Sequence, residues 1–516
     1  MQDPLKTGHL YADLKGRSVR GGLVTIASQG TQVLVQTVST VVLARLLSPA
    51  DNGIVAMVAV VTGLAMGFAD LGLSEATIQR KEITHEQVSA LFWINLSIGL
   101  GLMLITAALA PALVWFYREP RLFAITLVSS VTFLFGGLRV QADALLKRQM
   151  RYSHLGFRDV ASNVVAVPVA ILIALRGGGY WALVALPLVA NFTQMSLSWI
   201  MVKWRPSMPR RHSNVGSMVH FGGRVAASYF LYNLDRSADN ALIGSYWGAA
   251  PLGLYSRAYN LLLLPVRLIT SPISGVAIPA FSRVQHDPER FSRYYLATIG
   301  LVIWTTTPLF GFLFVAAEPV IVLVLGRQWR ESASVFQFLS ISAPCQLLLE
   351  SAGWILISSG QSGRLLKLYV YMTPAVIGSF VIGLHFGIKG VALSYSVVLI
   401  LILPLILKFT FRTTLLTLES LGRRLVYPFS VGLAGVCVAE LGTHVINPVS
   451  VLSQLIITGL GFVAAYSIAV FFRPVREEIL SFKRLFSELR NSSRAAGVCD
   501  VVPESVYIEE SGVGLR

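Results

Sequence analysis

The 516-residue chain is too apolar for an ordinary soluble protein: 54% of its residues are hydrophobic and only 13% are charged, whereas soluble domains are about a quarter charged. Its formal net charge of +16 does not indicate a nucleic-acid partner, because the Lys and Arg residues lie in short clusters between apolar segments. The 3 cysteines show no paired spacing, which argues against disulfides, a bound metal or a cofactor.

Apolar segments of the length that crosses a bilayer recur along the chain and predict about 14 membrane-spanning helices. The fold class is therefore an all-α polytopic membrane protein. Lys and Arg residues concentrate in alternate loops, and this pattern places both the N-terminus and the C-terminus in the cytoplasm.

The predicted organisation runs from a cytoplasmic N-terminal segment to a cytoplasmic tail. Its parts are 1–20 (cytoplasmic segment), 21–211 (N-lobe, spans 1–6), 212–412 (C-lobe, spans 7–12), 413–473 (spans 13 and 14), 474–490 (amphipathic surface helix) and 491–516 (disordered tail). The stretch Leu43–Val55 aligns with Ile243–Tyr255, since each contains a helix end, a turn of small residues and Pro, and a Gly opening the next helix. An even number of spans separates the two stretches, so the six-helix lobes should be related by a pseudo-two-fold axis along the membrane normal.

Charged residues inside the predicted spans are the candidate functional residues. An Arg or Asp at the centre of a spanning helix costs roughly 2.5–3.5 kcal/mol, so such residues usually face a hydrated interior. The cations predicted to line a substrate cavity are Arg45, Arg139, Arg224, Arg236, Arg257 and Arg267. The carboxylates that are candidates for an ion- or proton-coupling site are Asp70, Asp235, Asp239 and Glu350.

Two of these charges have an alternative interpretation from their spacing. Arg139 and Asp143 lie at i and i+4 on the fourth span, so they form either a structural ion pair or part of a cavity lining. Lys147, one turn further, is expected to extend to the membrane surface. Asp235 and Asp239 share a helix face and would repel each other unless a cation, such as Arg236 or Arg257, neutralises them.

Motifs for nucleotide hydrolysis and for hydrolytic catalysis are absent from the sequence. There is no GxxxxGK[ST] phosphate-binding loop, no HExxH, no GxSxG and no cluster of Cys and His, so ATP hydrolysis and metal-dependent chemistry are not expected. No predicted outer loop is long enough for a catalytic subdomain. The sequence therefore favours a carrier over an enzyme.

Three stretches carry a resemblance to a known family. They are LARLLSPADNGIVAM at Leu43–Met57, FADLGLSEATIQRKEITHEQ at Phe68–Gln87 and the run from Leu234 to Phe291. The chain resembles the polysaccharide transporter family of the multidrug/oligosaccharidyl-lipid/polysaccharide exporter superfamily, and within it the lipopolysaccharide/exopolysaccharide subgroup. Arg236 departs from the apolar or Asn residues that the family has at this position.

This resemblance implies a function and an architecture. The implied function is a flippase that moves undecaprenyl-pyrophosphate-linked oligosaccharide units across the bacterial inner membrane. The implied architecture is two six-helix lobes around a cationic central cavity, plus two C-terminal helices. The expected partners are the lipid-linked oligosaccharide, membrane lipids and polysaccharide polymerase or export proteins.

Other functions stay open at this point. A cation-coupled drug exporter of the same superfamily would need an acidic, apolar pocket, and this chain has more Arg than acidic residues within its spans. A membrane polysaccharide polymerase would need a long outer loop with catalytic Arg or His. An assembly scaffold would tolerate replacement of the charged residues.

Overall fold

The computed structural model describes residues 14–69, 72–80, 83–208, 237–473 and 475–476. Within these ranges the regular structure is helical. The α-helices are α1 (Leu14–Leu46), α2 (Pro49–Met66), α3 (Leu73–Gln79), α4 (His85–Ala108), α5 (Ala110–Tyr117), α6 (Leu122–Arg148), α7 (Tyr152–Leu175), α8 (Trp181–Val202), α9 (described over 237–247), α10 (Ala249–Arg283), α11 (Pro288–Val315), α12 (Ala317–Val324), α13 (Ser332–Ser358), α14 (Ser362–Leu384), α15 (Gly387–Phe411), α16 (Leu418–Ile446) and α17 (Val451–Ala469).

Several helix starts follow directly from local sequence. Ser48 precedes α2 and forms a capping box with Asp51, while Pro49 occupies the first helical turn. Thr84, Thr417 and Ser450 cap α4, α16 and α17 in the same way. These side-chain oxygens accept hydrogen bonds from backbone N–H groups that the helix itself leaves unpaired, which fixes where each helix begins.

The helix count agrees with the predicted fold class. Within the described ranges, 12 helical segments are long and apolar enough to cross a membrane. The helix α1 is as long as these but more polar, with Gln29, Gln32 and Gln36 along its length. Most of the predicted seventh span, 217–244, lies outside the described residues. The twelve segments, α1 and this span together make up the predicted set.

The second predicted span, 53–75, differs from the observed helix. The helix α2 ends at Met66, and the separate short helix α3 begins at Leu73. Gly72 adopts a left-handed conformation with φ of 67°, which a continuous helix cannot accommodate and which glycine adopts without steric cost. The chain therefore changes direction between α2 and α3.

The helices form two lobes and a C-terminal pair. In the N-lobe, α4 packs on α6, α7 on α8, and α1 on α7. In the C-lobe, α13 packs against α10, α11 and α15, and α14 packs on α15. The pair α16 and α17 covers α11 and α12 on the outside of the C-lobe.

The two lobes meet where α2 crosses α10, through a pair of glycines. A methyl group on Gly53 would lie 1.6 Å from the carbonyl oxygen of Ala249, and a methyl group on Gly253 would lie 1.8 Å from that of Pro49. The contact is reciprocal, because the aligned stretches place Gly53 opposite Gly253 and Pro49 opposite Ala249. Only glycine at both positions allows the backbones to approach this closely.

Hydrogen bonds between the lobes cluster around the same end of the bundle. Trp329 Nε1 donates to the Ala44 carbonyl oxygen over 2.7 Å, and Arg257 Nε donates to Asn52 Oδ1 over 2.7 Å. Gln328 and Arg45 also bond across this interface. These interlobe hydrogen bonds, formed by described residues, lie at the end that the charge pattern assigns to the outside. The lobes are therefore closed together at that end.

Some predicted features lie outside the described residues. They are the first 13 residues, most of the amphipathic helix predicted at 474–490, the tail 491–516, and the candidate site residues Asp70, Arg224, Asp235 and Arg236.

Replacing either glycine at the crossing by alanine should separate the lobes at their outer end. In a variant without native cysteines, Met57→Cys places a thiol at a buried position, 1% exposed, one turn from Gly53. We expect Gly53→Ala or Gly253→Ala to make this thiol react with a membrane-impermeant maleimide, because the added methyl overlaps backbone at a cost of about 1–3 kcal/mol.

Matched controls lie on the same two helices. A methyl group on Gly63 of α2 or Gly275 of α10 would meet nothing within 4 Å, so Gly63→Ala and Gly275→Ala should leave Met57→Cys protected. A thiol that stays unreactive in the Gly53 and Gly253 variants would contradict the proposed role of the crossing.

Candidate functional site

A cavity of about 560 Å³ lies inside the N-lobe between α2, α6 and α8. This volume is in the range of pockets that bind small molecules. Its polar and charged lining residues are Thr62, Ser74, Ser129, Thr132, Arg139, Asp143, Lys147 and Asn191. The remaining lining consists of small and apolar side chains, such as Gly63, Gly136 and Val58, so the charges stand in an otherwise weakly polar space.

Asp143 is the centre of an ion-pair network at the wall of this cavity. Arg139 Nε lies 3.2 Å from Asp143 Oδ2, and the Ser198 hydroxyl donates to Asp143 Oδ1 over 2.7 Å. Arg158 also donates to Asp143 Oδ1 and forms a second ion pair with Asp159. Burial of an isolated guanidinium among membrane helices would be costly, so the two carboxylates hold the two arginines in place.

The network leaves cationic donors available to a ligand. Arg139 Nη1 is buried and has no hydrogen-bond partner among the described residues. Lys147, two turns from Arg139, is exposed and lines the cavity. Since Arg139, Lys147 and Arg158 outnumber Asp143 and Asp159 by one, the cavity wall carries a net positive charge that would attract an anion.

A second, smaller cavity of about 80 Å³ lies in the C-lobe and is acidic. Asp239 and Glu350 line it together with Gln346 and four tyrosines, Tyr255, Tyr259, Tyr369 and Tyr395. Asp239 is only 3% exposed, and the Tyr255 hydroxyl is hydrogen-bonded to it. The space is too small for an oligosaccharide or a drug-sized molecule, but it has room for an ion or a few waters.

The structure places the described site residues in four different surroundings. Arg139 lies in the N-lobe cavity, and Asp239 and Glu350 meet in the C-lobe cavity. Arg45 and Arg257 take part in the interlobe contact instead. Arg267 is exposed on α10. None of the last three lines either of the two cavities.

Sequence reasoning missed Arg158, which is not among the predicted site residues. The side chain of Arg158 is 9% exposed because α6 and α7 form an antiparallel pair that brings Arg158 back beside Asp143. The short connection between Arg148 and Tyr152 was the available signal, since residues equally spaced about a tight turn lie at the same depth. The two interpretations of Arg139 are compatible, because it both pairs with Asp143 and lines the cavity.

The fold is shared with membrane transporters of known structure. It superposes on the lipid II flippase MurJ in an inward closed conformation with a TM-score of 0.71 and 13% sequence identity, covering 87% of this chain and 99% of MurJ. It also matches an inward-facing multidrug resistance MATE transporter of the MOP superfamily with a TM-score of 0.58 and 14% identity, covering 78% of this chain and 99% of the transporter. The chain therefore shares its fold with these two proteins.

A family model described as polysaccharide biosynthesis protein matches residues 42–334. The match covers more than half of the chain, which thus belongs to that family.

Individual relatives are distant. The teichuronic acid biosynthesis protein TuaB of Bacillus subtilis is 24% identical over 57% of this chain and 61% of its own length. The lipopolysaccharide biosynthesis protein WzxC of Escherichia coli is 22% identical over 70% of this chain and 75% of its own. The succinoglycan biosynthesis transport protein ExoT of Rhizobium meliloti is 26% identical over 60% of this chain and 64% of its own. The chain thus spans less than two thirds of TuaB and ExoT.

Replacing Arg158 by glutamine should destabilise the N-lobe. The substitution leaves Asp143 and Asp159 in an apolar bundle with one cation fewer, so we expect the free energy of unfolding to fall by about 3 kcal/mol. Chemical unfolding of the detergent-solubilised protein, followed by circular dichroism, measures this.

The matched control is Arg290→Gln, which removes an exposed ion pair with Asp287. The side chain of Arg290 is 63% exposed and that of Asp287 is 46% exposed. This loss should stay below about 1 kcal/mol. Equal losses in the free energy of unfolding for the two variants would contradict the stabilising role of the Asp143 network.

Proposed function

We propose that this protein is a flippase that moves undecaprenyl-pyrophosphate-linked oligosaccharide units across a bacterial inner membrane for exopolysaccharide or lipopolysaccharide biosynthesis. Family membership, the names of TuaB, WzxC and ExoT, and the fold shared with MurJ support the class of cargo. It acts as a carrier rather than an enzyme, and hands the flipped unit to a polysaccharide polymerase or export protein on the other side.

One observation carries this proposal: a cavity of about 560 Å³ inside a membrane-helix lobe has a net positive wall with an unpartnered guanidinium N–H. A sugar hydroxyl that enters hydrocarbon without a partner costs several kcal/mol, so an oligosaccharide needs such a polar space. An Arg–phosphate contact at about 4 Å contributes roughly 4 kcal/mol at an effective dielectric of 20, before desolvation. The lipid tail needs no cavity and can remain in the bilayer.

Closure of the outer end determines the side from which a cargo can reach the cavity. The Gly53–Gly253 crossing and the interlobe hydrogen bonds lie at the predicted outer end, whereas Arg139 and Lys147 lie toward the predicted cytoplasmic end of α6. A cargo would therefore enter this conformation from the cytoplasmic side. Release requires the α2–α10 contact to open, which is a rigid-body movement of one lobe against the other. In this orientation both termini lie in the cytoplasm.

The acidic C-lobe cavity supports coupling of this movement to a cation. Asp239 and Glu350 are carboxylates in a space large enough for a proton or a sodium ion with its waters, and tyrosine hydroxyls surround them. A cation that binds a buried carboxylate neutralises it, which removes the cost of holding that charge among membrane helices. Asp70 and Asp235 remain candidates for the same role. The acidic C-lobe cavity is too small to hold a drug-sized cargo.

Lys147→Gln should impair export without affecting folding, because this side chain lines the cavity and is exposed. We expect export to fall about tenfold, as for the loss of one charge-assisted contact with phosphate. The measurement is polysaccharide secretion by a deletion strain that carries the variant, together with the amount of lipid-linked units retained inside.

Two comparisons sharpen this test. Lys147→Arg keeps the charge and should restore export. Lys203→Gln removes an exposed cation at the predicted cytoplasmic end of α8, outside the cavity lining, and should have no effect. If the Lys147→Gln variant exports normally at native protein levels, the N-lobe cavity is not the cargo site.

Asp239→Asn and Glu350→Gln should alter how transport depends on a proton or sodium gradient. These variants keep the size of the side chain and remove the charge that a cation would neutralise. Uptake of a labelled lipid-linked oligosaccharide into proteoliposomes, measured with an imposed pH gradient, sodium gradient or neither, tests this. An unchanged gradient dependence in both variants would exclude this cavity as the coupling site.

A further inference from the structure

A groove of about 350 Å³ lies between α14 and α15, on the outside of the C-lobe. Its lining consists of Leu368, Tyr371, Met372 and Ala375 from α14, and Ile402, Leu405, Ile406 and Phe409 from α15. Tyr371 and Leu405 are 73% and 68% exposed, so the groove opens outward to the surrounding lipid. The helix α14 packs on α13 and α15 among the described elements, which places the groove away from the N-lobe cavity.

The groove and the cation at its shallow end together have the depth of one membrane leaflet. Arg364 lies in the first turn of α14 and Ala375 lies at the deep end of the groove, eleven residues further along. At about 1.5 Å per residue this separation is roughly 16 Å, about half of a hydrocarbon core of roughly 30 Å. The apolar lining thus lies between the headgroup level and the middle of the bilayer.

Four cations lie along the chain within one turn of the lining residues at the shallow end of the groove: Arg364 and Lys367 on α14, Lys408 on α15, and Arg412 directly after α15. The stretches Gln361–Met372 and Ile402–Thr413 contain no Asp or Glu. The guanidinium of Arg412 lies close enough to repel that of Arg364. A phosphate group between the two helices would relieve this repulsion.

Arg364 lies between the cations at the shallow end and the apolar lining of the groove. Its guanidinium lies 4.8 Å above the ring of Phe409, a lining residue. It donates to Gln361 Oε1 over 2.6 Å and to the Thr413 hydroxyl over 2.9 Å, and it also bonds the Phe409 carbonyl. These partners are neutral, so they orient the guanidinium and leave its charge uncompensated.

We infer that the α14–α15 groove and its four cations form a binding site for one anionic glycerophospholipid of the cytoplasmic leaflet. The phosphate would contact Arg364 and Arg412, and an acyl chain would lie along Leu368, Leu405 and Phe409. Basic pockets between membrane helices on the cytoplasmic side bind anionic headgroups in this way. The groove and its cationic end together are one leaflet deep, which suits an acyl chain rather than the longer polyprenyl tail of the proposed cargo. The site does not depend on the proposed cargo, whereas its leaflet follows from the proposed orientation of the chain.

Native mass spectrometry of the full-length protein in detergent tests this inference, with titrations of palmitoyl-oleoyl phosphatidylglycerol and palmitoyl-oleoyl phosphatidylcholine. The wild-type protein should bind its first phosphatidylglycerol more tightly than phosphatidylcholine. Arg412→Gln should weaken the first phosphatidylglycerol about fivefold, as for the loss of one cation near an anionic headgroup, and leave phosphatidylcholine unchanged. Leu405→Trp fills the groove and should weaken both lipids.

Control variants distinguish a built site from general attraction to a basic surface. Arg293→Gln removes another exposed cation at the predicted cytoplasmic end, and Leu433→Trp enlarges a side chain on α16 that is 66% exposed. Neither should change binding of the first phosphatidylglycerol. Equal effects of Arg293→Gln and Arg412→Gln would overturn the inference. Tighter first binding of undecaprenyl phosphate than of phosphatidylglycerol, abolished by Arg412→Gln, would also overturn it by assigning the groove to the cargo.

Discussion

The ion pairs of Asp143 with Arg139 and Arg158 are the interaction on which the N-lobe cavity depends. A guanidinium cannot give up its charge at physiological pH, so its place among apolar helices requires polar partners, of which a carboxylate is the strongest. Asp143 supplies one from α6, and Asp159 supplies another from α7. Because the carboxylates are fewer than the nearby cations, the same network that stabilises the fold leaves a positive wall for a ligand.

The two lobes share a fold but differ in the chemistry of their cavities. The N-lobe cavity is roomy and net basic, whereas the C-lobe cavity is small, acidic and lined by tyrosines. An anion bound in one lobe and a cation bound in the other would each bias the contact between the lobes at the α2–α10 crossing. That contact, Gly53 against Ala249 and Gly253 against Pro49, is backbone on backbone, so any relative rotation of the lobes must change it.

The sequence predicted the lobes better than it predicted the sites. The alignment of Leu43–Val55 with Ile243–Tyr255 identified two equivalent positions, and these are the positions at which the lobes touch. Grouping six arginines into one cavity combined residues with different surroundings: Arg139 lines a cavity, whereas Arg45 and Arg257 bond across the lobe interface. A charge in a spanning segment shows that a polar partner is needed, but an interlobe carbonyl or amide meets that need as well as a ligand does.

Hydropathy by itself determined the class of protein and the approximate number of spans, and capping residues fix where several helices begin. These features depend on how each segment interacts with lipid, water and its own backbone, so they can be derived locally. The tertiary structure alone decided that Arg158 returns to Asp143, that Asp239 and Glu350 from separate helices line one cavity, and that Arg364 and Arg412 come together at one groove. Such groupings depend on which helices pack together and at what depth, and residues far apart in the chain carry no local mark of that.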